Sequence, residues 1–278
     1  MVQIDALIKD FQRKPVWSKL SKGFKCVYWI HPCSLSDDDK SAIYAALADV
    51  STIAFGADMK PYWHGRSHDG YLDKITKFFL IIDPENQVVG WTGFHRFKVG
   101  ETSCLFLDST GVLPGLQKTG VMTQVLGRAL ASELIRNRLR PVYLSMRTEN
   151  PVVYYAFFKI VGPDNIYPNL AKEAGNTVRQ LGKYIAGWLK QDNKFEPETL
   201  RIRGAYDNLD ALYGEQPLCE HEKINGFFQK HLRPEDAFIV LAKMDVFGSA
   251  KLFTRGLAYR LMPKHLRHRT LQNRYSDE

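Results

Sequence analysis

The residues best suited to chemistry lie in one turn, between a segment with strand character and a segment with helical spacing. The turn is Val112–Met122, with the sequence VLPGLQKTGVM. Such a turn directs backbone N–H groups outward at the positive end of the helix dipole, where a diphosphate can bind. Gly120 has no Cβ to obstruct the phosphates, Pro114 ends strand pairing, and Lys118 adds positive charge. The turn therefore predicts a phosphate-binding site.

Neither of two common nucleotide motifs, G-x-G-x-x-G and G-x-x-x-x-G-K-[ST], is present in the turn. Its sequence instead resembles the coenzyme A-binding motif of the GNAT superfamily of N-acetyltransferases, V-x-P followed by Q/R-x-x-G-x-G/A. Four positions match in register, and Met122 stands where the family has Gly or Ala. The resemblance implies that acetyl-CoA or another acyl-CoA is bound by Val112, Gln117, Lys118, Thr119, Gly120, Val121, Met122 and Asn150.

A second element follows about thirty residues later, in NPVVYYAFFK at 150–159. It resembles the family pattern N-x-x-A-x-x-x-Y-x-K, with Asn150 and Lys159 in register and Phe157 at the position of the family tyrosine. In the family, the pantetheine arm lies between two strands that splay apart. The resemblance implies that residues 107–112 and 143–147 form these two edges.

The resemblance also implies direct attack of an amine on the thioester, which needs a proton acceptor and a proton donor for sulfur. A backbone N–H near Val112 is the expected oxyanion donor. Asp108, just before the motif, is the first candidate for the general base, with Glu149 second; Asp108 could equally be turn chemistry. Tyr155, followed by Tyr154, is the candidate acid, although both could be core aromatics.

A loop-like, glycine-rich stretch at 56–71 carries the residues expected to contact the acceptor. These are Trp63, His64 and His68. Histidine titrates near neutrality, so these two and His95 could also relay a proton. The alternative interpretation is that the histidines are ordinary surface groups and that His95 is packed or paired.

The elements that must position these residues follow from periodicity. Four helical segments are predicted. One covers residues 4–20, and the other three begin at Ser36, after Gly120 and after Asn150. Strands are predicted at 24–30, 77–82, 87–98, 103–108, 142–146 and 236–243. The order predicts an α/β (α+β) fold: a GNAT-like mixed, mostly antiparallel twisted sheet, helices on both faces and a splayed central strand pair.

Composition sets the limits of the functional classes. The chain has 278 residues, 45% hydrophobic, with a formal charge of +8, and the four cysteines are spread out. No Cys/His cluster has zinc-ligand spacing, so no metal is expected. The absence of a signal peptide and of a long apolar run predicts a cytoplasmic protein, and a peripheral position at a membrane is the alternative that the basic tail allows.

The chain divides into three expected parts: an N-terminal helical extension at 1–22, an acyltransferase domain at 23–245, and a basic amphipathic tail at 246–278. The acceptor is expected to be an amine of a small molecule or peptide. The tail could contact an acyl carrier protein or an anionic membrane, or could simply pack on the domain. Two alternatives stay open: a long-chain acyltransferase fed by acyl carrier protein, and a non-catalytic acyl-CoA-binding module. Nucleic acid is an unlikely partner because no stacking-and-basic motif is present.

Overall fold

The computed structural model describes residues 2–117, 119–207 and 217–246. Within these ranges a single sheet runs through the molecule, and its strands fall close to the predicted segments. They are β1 (Val16–Lys19), β2 (Lys25–Ile30), β3 (Lys77–Ile82), β4 (Val88–Val99), β5 (Thr102–Val112), β6 (Val142–Thr148), β7 (Ile166–Tyr167), β8 (Phe195–Glu196), β9 (Arg201–Ile202) and β10 (Ala237–Met244).

The helices of the described ranges connect these strands. They are α1 (Ile4–Leu7), α2 (Asp37–Phe55), α3 (Lys60–His68), α4 (Tyr71–Lys74), α5 (Val121–Arg136), α6 (Pro151–Val161), α7 (Asn176–Trp188) and α8 (Glu222–His231). None of them, among the residues described, is long and apolar enough to cross a membrane.

The strand order is β1-β2-β3-β4-β5-β6-β10-β9-β8, with β7 also paired to β10. Every pairing is antiparallel except that of β5 with β6, which is parallel. The predicted mixed, mostly antiparallel sheet is therefore confirmed. One parallel pair in the middle of an antiparallel sheet needs a helical crossover, and α5 supplies it.

Side chains alternate across the sheet, so the two faces bury separate cores. One face packs against α5, α6 and α8, with Leu105 and Leu107 of β5 pointing to it. The other face packs against α2, α3 and α4 at one end and α7 at the other, with Phe106 of β5 pointing to it. Each buried leucine or phenylalanine of these cores stabilises the fold by about 1.5–3 kcal/mol.

The helix start predicted at Ser36 is confirmed. The Ser36 hydroxyl accepts a hydrogen bond from the Asp39 N–H at 3.1 Å, which satisfies a backbone donor that the first helical turn leaves unpaired. Helix α2 ends at Gly56, whose φ of 72° is the left-handed conformation that glycine adopts without strain.

Two predictions of local structure are wrong. Helical spacing over 4–20 yields a helix only at Ile4–Leu7, because residues 16–19 pair with β2 as the edge strand of the sheet. The stretch at 56–71 is largely helical, since Pro61 lies in the first turn of α3, where its missing N–H costs nothing, and Gly70 ends the segment at a φ of 65°.

Some sequence-based predictions fall on residues that the structure does not describe. Lys118 lies outside the described residues, as do residues 247–278 of the basic tail. Their proposed roles in cofactor, carrier-protein or membrane binding remain predictions.

Candidate active site

The parallel pair β5 and β6 separates partway along its length. Pairing runs from Ser103 opposite Val142 to Leu107 opposite Met146 and then stops. Beyond it, β5 continues to Val112 along β4, while β6 continues to Thr148 along β10. Residues 108–112 of β5 and the end of β6 therefore diverge, one residue past the start predicted from the motif, and the gap between these two backbone segments is called the cleft.

A β-bulge in β5 produces this separation. Asp108 lies opposite Gly93 and Thr110 opposite Thr92, so Ser109 is an extra residue with a φ of 53°. A bulge bends its strand and increases the local twist, which turns β5 away from β6. The predicted splayed edge at 143–147 needs correction, because residues 143–146 are still paired with β5 and only the residues after them diverge.

Trp91 of β4 holds the bulge in place. Its indole N–H donates to the Ser109 hydroxyl at 3.0 Å. Its ring covers Gly111, where a Cβ would lie 2.3 Å from the indole, so only glycine fits at that position. The bulge is thus fixed by a contact across the β4–β5 pair.

The edge of β5 that faces the cleft offers backbone groups for hydrogen bonding. The Leu113 N–H donates to the Val89 carbonyl at 3.0 Å, so it points toward β4. Because successive residues of a strand direct their N–H groups to opposite edges, the Val112 and Thr110 N–H groups point into the cleft. This edge can pair with an extended chain that carries amide groups, as an added strand would.

In the turn at the mouth of the cleft, fewer backbone N–H groups are available to a ligand than the predicted phosphate-binding site requires. The N–H groups of Leu116, Gln117 and Thr119 are already bonded to carbonyl oxygens within the turn. They do not converge on a ligand, which corrects the expected binding role of the Gln117 and Thr119 amides. The Gln117 side chain itself is exposed.

The N–H groups that remain are those of the first turn of α5. Gly120, Val121, Met122 and Thr123 have no acceptor among the described residues. Gly120 caps the helix at a φ of 82°, and nothing lies within 4 Å of the position its Cβ would occupy. Together with the helix dipole, donors in this position are suited to an anion at the mouth of the cleft.

Around the N–H groups of residues 120–123 the wall is apolar. The side chains of Val112, Leu113, Leu116 and Met122 are partly buried and pack against the core beneath α5. On the opposite side, Asn150 caps α6: its side-chain oxygen accepts from the Val152 N–H at 2.9 Å. Its side-chain NH₂ has no acceptor among the described residues and can donate to a ligand.

Asp108 is engaged in an ion pair and is not placed as a proton acceptor. It is 4% exposed and its carboxylate contacts the Arg66 guanidinium. The Tyr71 hydroxyl donates to the Asp108 carbonyl oxygen at 2.8 Å. A carboxylate that neutralises a buried arginine is held as a structural group, so these contacts do not favour Asp108 as the general base.

Arg66, which sequence reasoning missed, organises this side of the cleft. Its guanidinium lies 4.5 Å from the centre of the Tyr71 ring, in addition to its contact with Asp108. Burial alone would lower the pKa of Arg66, but the Asp108 charge raises it above its usual value, so Arg66 stays cationic. No spacing signal links residues 66 and 108, which belong to a helix and a strand distant in sequence.

Glu149, the second candidate for the base, has the electrostatics that the role requires. It follows the last residue of β6 and is 8% exposed. Burial raises the pKa of its carboxyl from 4.5 to about 7, against a lowering influence of Arg147. Arg147 is itself held by the Gln191 side chain at 2.7 Å and by the Tyr206 ring. A carboxyl that titrates near neutrality can accept a proton at neutral pH.

The two tyrosines proposed as acids have different surroundings. The Tyr154 hydroxyl donates to the Pro168 carbonyl at 2.7 Å, and burial raises the pKa of Tyr154. Tyr155 contacts Phe158, His221 and the Lys159 ammonium, on the face of α6 opposite Phe157. Phe157 is buried in the core. These contacts do not favour either tyrosine as the proton donor for sulfur, and the role expected of Tyr155 stays a prediction.

Trp63 does not line an acceptor site. It is 1% exposed, its indole N–H donates to the Ser51 hydroxyl at 2.8 Å, and it packs edge-on against Tyr71 and Trp91. It is therefore a core residue that supports α3.

The structure does not place His64, His68 or His95 to contact an acceptor in the cleft. His64 and His68 are exposed on α3 and lie two residues before and after Arg66, roughly opposite to it around the helix. They face away from the cleft, so the acceptor role expected of them is not supported. His95 stacks on Trp188 at 4.7 Å, and burial lowers the pKa of its imidazole, as expected for a packed histidine.

No group of three or more His, Cys, Asp or Glu side chains that could hold a metal ion occurs in the described part of the chain. The candidate site is therefore made of backbone N–H groups, a strand edge, an apolar wall and two buried carboxylates.

Comparisons with known proteins find only distant similarities. No protein-family profile matches the chain, and no curated protein matches it. Solved structures with similar folds include an IAA acetyltransferase from Bacillus cereus, with a TM-score of 0.38, 11% identity and coverage of 80% of this chain and 99% of that one.

Two further structures were determined with ligands. A GNAT family acetyltransferase from Elizabethkingia anophelis, with acetyl-CoA bound, has a TM-score of 0.35, 12% identity and coverage of 71% and 89%. A GNAT family N-acetyltransferase from Escherichia coli in complex with CoA has a TM-score of 0.33, 15% identity and coverage of 51% and 71%. The assignment of a GNAT-like fold rests on the strand order, the bulge and the splayed parallel pair of this chain.

Proposed function

We propose that this chain transfers an acyl group, acetyl in the simplest case, from a coenzyme A thioester to an amine. The observation that carries the proposal is the cleft between β5 and β6 with the N-terminus of α5 at its mouth. The N–H groups of residues 120–123, which have no acceptor among the described residues, suit the diphosphate of coenzyme A, and the cleft edge of β5 suits the amides of its pantetheine arm.

The residues along the cleft have distinct roles in this proposal. The Asn150 side-chain NH₂ donates to the pantetheine, and Met122 with Val112 provides an apolar wall beside it. The Val112 N–H, directed into the cleft, donates to the oxyanion that forms when the amine attacks the thioester carbonyl. The sulfur that leaves takes its proton from the nitrogen of the tetrahedral intermediate, directly or through one water, so that a neutral amide and a free thiol are formed.

Proton removal from the acceptor falls to Glu149. An amine enters the reaction as the free base, so its ammonium form must first lose a proton. Glu149, with a pKa of about 7, is half deprotonated near neutrality and can take that proton directly or through one water. Asp108 contributes as the anionic half of the ion pair that fixes α3 beside the bulge.

The proposal is tested by placing a charge beside the diphosphate site. Thr123 is exposed in the first turn of α5. A Thr123→Glu change favours the helix itself, because a carboxylate suits the dipole there, but repels a diphosphate. We expect the dissociation constant for coenzyme A, measured by isothermal titration calorimetry, to rise about tenfold, or about 1.4 kcal/mol.

The matched control for this change is Thr123→Gln, which has nearly the same size and no charge. It should bind coenzyme A as the unmodified chain does. If the unmodified chain shows no heat with coenzyme A or acetyl-CoA at high micromolar concentration, the acyl-donor assignment is wrong.

A second candidate, an acyl-CoA-binding module without catalysis, is favoured by one specific observation. Phe157 stands at the position of the family tyrosine and is buried in the core. This candidate predicts the same coenzyme A binding but no product. The two functions are distinguished by incubating the chain with acetyl-CoA and a panel of amines and measuring the free thiol released. Only the acyltransferase should release it.

A further inference from the structure

His64 and His68 form a close pair on the outer face of α3. Their Nε2 atoms are 3.2 Å apart, the ring centroids are 4.5 Å apart, and the ring planes cross at 86°. Both side chains are exposed. The proposed acyl transfer does not use them, because Arg66, between them in sequence, points to the other side of the helix.

The distance between the two nitrogens is that of neighbouring ligands on one metal ion. A transition metal binds imidazole nitrogen at about 2.0–2.1 Å, so two nitrogens at a tetrahedral or right-angled metal are about 2.9–3.4 Å apart. Histidines four residues apart on a helix lie on the same face, which brings their rings together without backbone change. We propose that His64 and His68 chelate a divalent transition metal of the nickel, copper and zinc group.

The protons balance without any redox step. In the metal-free pair one Nε2–H donates to the other Nε2. Metal binding needs both Nε2 lone pairs, so the donor ring changes tautomer and carries its proton on Nδ1. Neutral imidazole suits these metals, and a harder ion such as Mg²⁺ prefers oxygen ligands.

The surroundings bear on how tightly the pair binds. His64 lines a groove of about 530 Å³ between α2 and α3, together with Asp37 and Lys60. Lys60 lies one helical turn before His64, so its ammonium repels a cation at the pair. Since no third His, Cys, Asp or Glu joins the pair among the described residues, water completes the coordination. The affinity is therefore set by two protein ligands.

The site also has a structural consequence for α3. A metal bound by both His64 and His68 would cross-link one turn of α3 and so stabilise the helix that carries Arg66. Metal binding to the folded chain alone raises its stability by mass action. The thermal midpoint should therefore rise with added metal only while both histidines are present.

The experiment is isothermal titration of the full chain with ZnCl₂ at pH 7.5. We expect one Zn²⁺ per chain, with the affinity reduced about tenfold or more in His68→Ala, because a single imidazole loses the second, linked ligand. The control is a variant with His265→Ala and His268→Ala, which removes the other closely spaced pair in the sequence. It should bind at residues 64 and 68 as before.

A variant with the same number of histidines tests the geometry. His68→Ala combined with Asp69→His places the second imidazole five residues from His64, on a different side of the helix, and should not restore binding. Lys60→Ala should strengthen it. Histidine side-chain ¹⁵N spectra of the unmodified chain give a readout that needs no variant: two resonances should shift on addition of Zn²⁺.

Two results would overturn the proposal: no binding of Zn²⁺ at millimolar concentration, or equal binding by the unmodified chain and His68→Ala. Neither result bears on coenzyme A, whose binding is measured separately.

Discussion

The two walls of the cleft each bury one carboxylate but treat it differently. On the β5 wall, Asp108 is 4% exposed and paired with Arg66. On the β6 wall, Glu149 is 8% exposed, and burial dominates over the influence of Arg147 to raise its pKa to about 7. Burial alone therefore does not define a base. Asp108 holds a buried arginine in place, whereas burial raises the pKa of Glu149 more than the charge of Arg147 lowers it.

The largest effect is expected from removing the counter-charge on the β5 wall. Arg66→Met leaves Asp108 buried without a cation, which should lower the free energy of unfolding by about 3–5 kcal/mol in urea titrations. The double change Arg66→Met with Asp108→Leu should recover most of that loss.

The matched control is the exposed ion pair of Lys190 with Asp69, whose side chains are 65% and 51% exposed. Lys190→Met should cost less than about 1 kcal/mol. If Arg66→Met lowers the free energy of unfolding no more than Lys190→Met does, the Arg66 charge does not set Asp108 apart from Glu149.

The next effect concerns the carboxylate of the β6 wall. Glu149→Gln should lower kcat about 10²-fold or more, since it removes the proton acceptor. In the unmodified chain, kcat/KM should rise with pH up to about 7 and then level off. In Glu149→Gln this rise should be absent, while the affinity for coenzyme A stays unchanged.

Stability should change in the opposite direction over the same pH range. The folded-state pKa of Glu149 lies above its ordinary value of 4.5, so the folded chain holds this proton more tightly than the unfolded chain. The resulting stability is complete below about pH 4.5 and is lost as the pH rises through 7. The loss is at most about 3 kcal/mol.

Glu149→Gln should remove this part of the pH dependence of unfolding. Glu222→Gln, at an exposed glutamate in the first turn of α8, should leave it intact. An unchanged profile in Glu149→Gln would mean that Glu149 is not the group that titrates near neutrality.

A smaller effect on stability is expected at Gly93, whose missing side chain leaves room for the Tyr71 hydroxyl next to the bulge. A Cβ on Gly93 would lie 2.0 Å from the Tyr71 hydroxyl and 3.0 Å from the Asp108 carbonyl oxygen. Gly93→Ala should therefore cost about 1–3 kcal/mol of unfolding free energy by overpacking. Adding Tyr71→Phe, which removes the hydroxyl, should restore part of it.

Gly115→Ala is the control for this change, because nothing lies within 4 Å of its added Cβ. It should alter stability by no more than about 0.5 kcal/mol. If Gly93→Ala and Gly115→Ala lower the free energy of unfolding equally, the position of the Tyr71 hydroxyl does not require a glycine at residue 93.

Local sequence was sufficient for the features that depend on neighbours along the chain. The strands from Lys25 to Thr148 and the helix that begins after Gly120 follow from alternation, helical spacing and turn residues. Asn150 was recognised as a helix start, and its cap is present. Residues 16–19 were assigned wrongly because their strand exists only through pairing with β2, which no local pattern reveals.

Only the part of the candidate site that lies on contiguous residues could be predicted from the sequence. Val112 and Gly120 were found because the turn and helix that carry them are contiguous. Arg66 was missed because its partner lies 42 residues away in the chain. Trp63 was misplaced because an aromatic residue in a core and one in a pocket have the same local pattern.

By itself, the sequence determined a strand, a phosphate-suited turn and a helix at residues 105–136, because each depends on backbone propensity and contacts within a few residues. Only the tertiary structure decided where β5 leaves β6, which carboxylate receives an arginine and which titrates near neutrality. These outcomes depend on burial and on charges brought together from distant segments, and both arise only when the chain is folded.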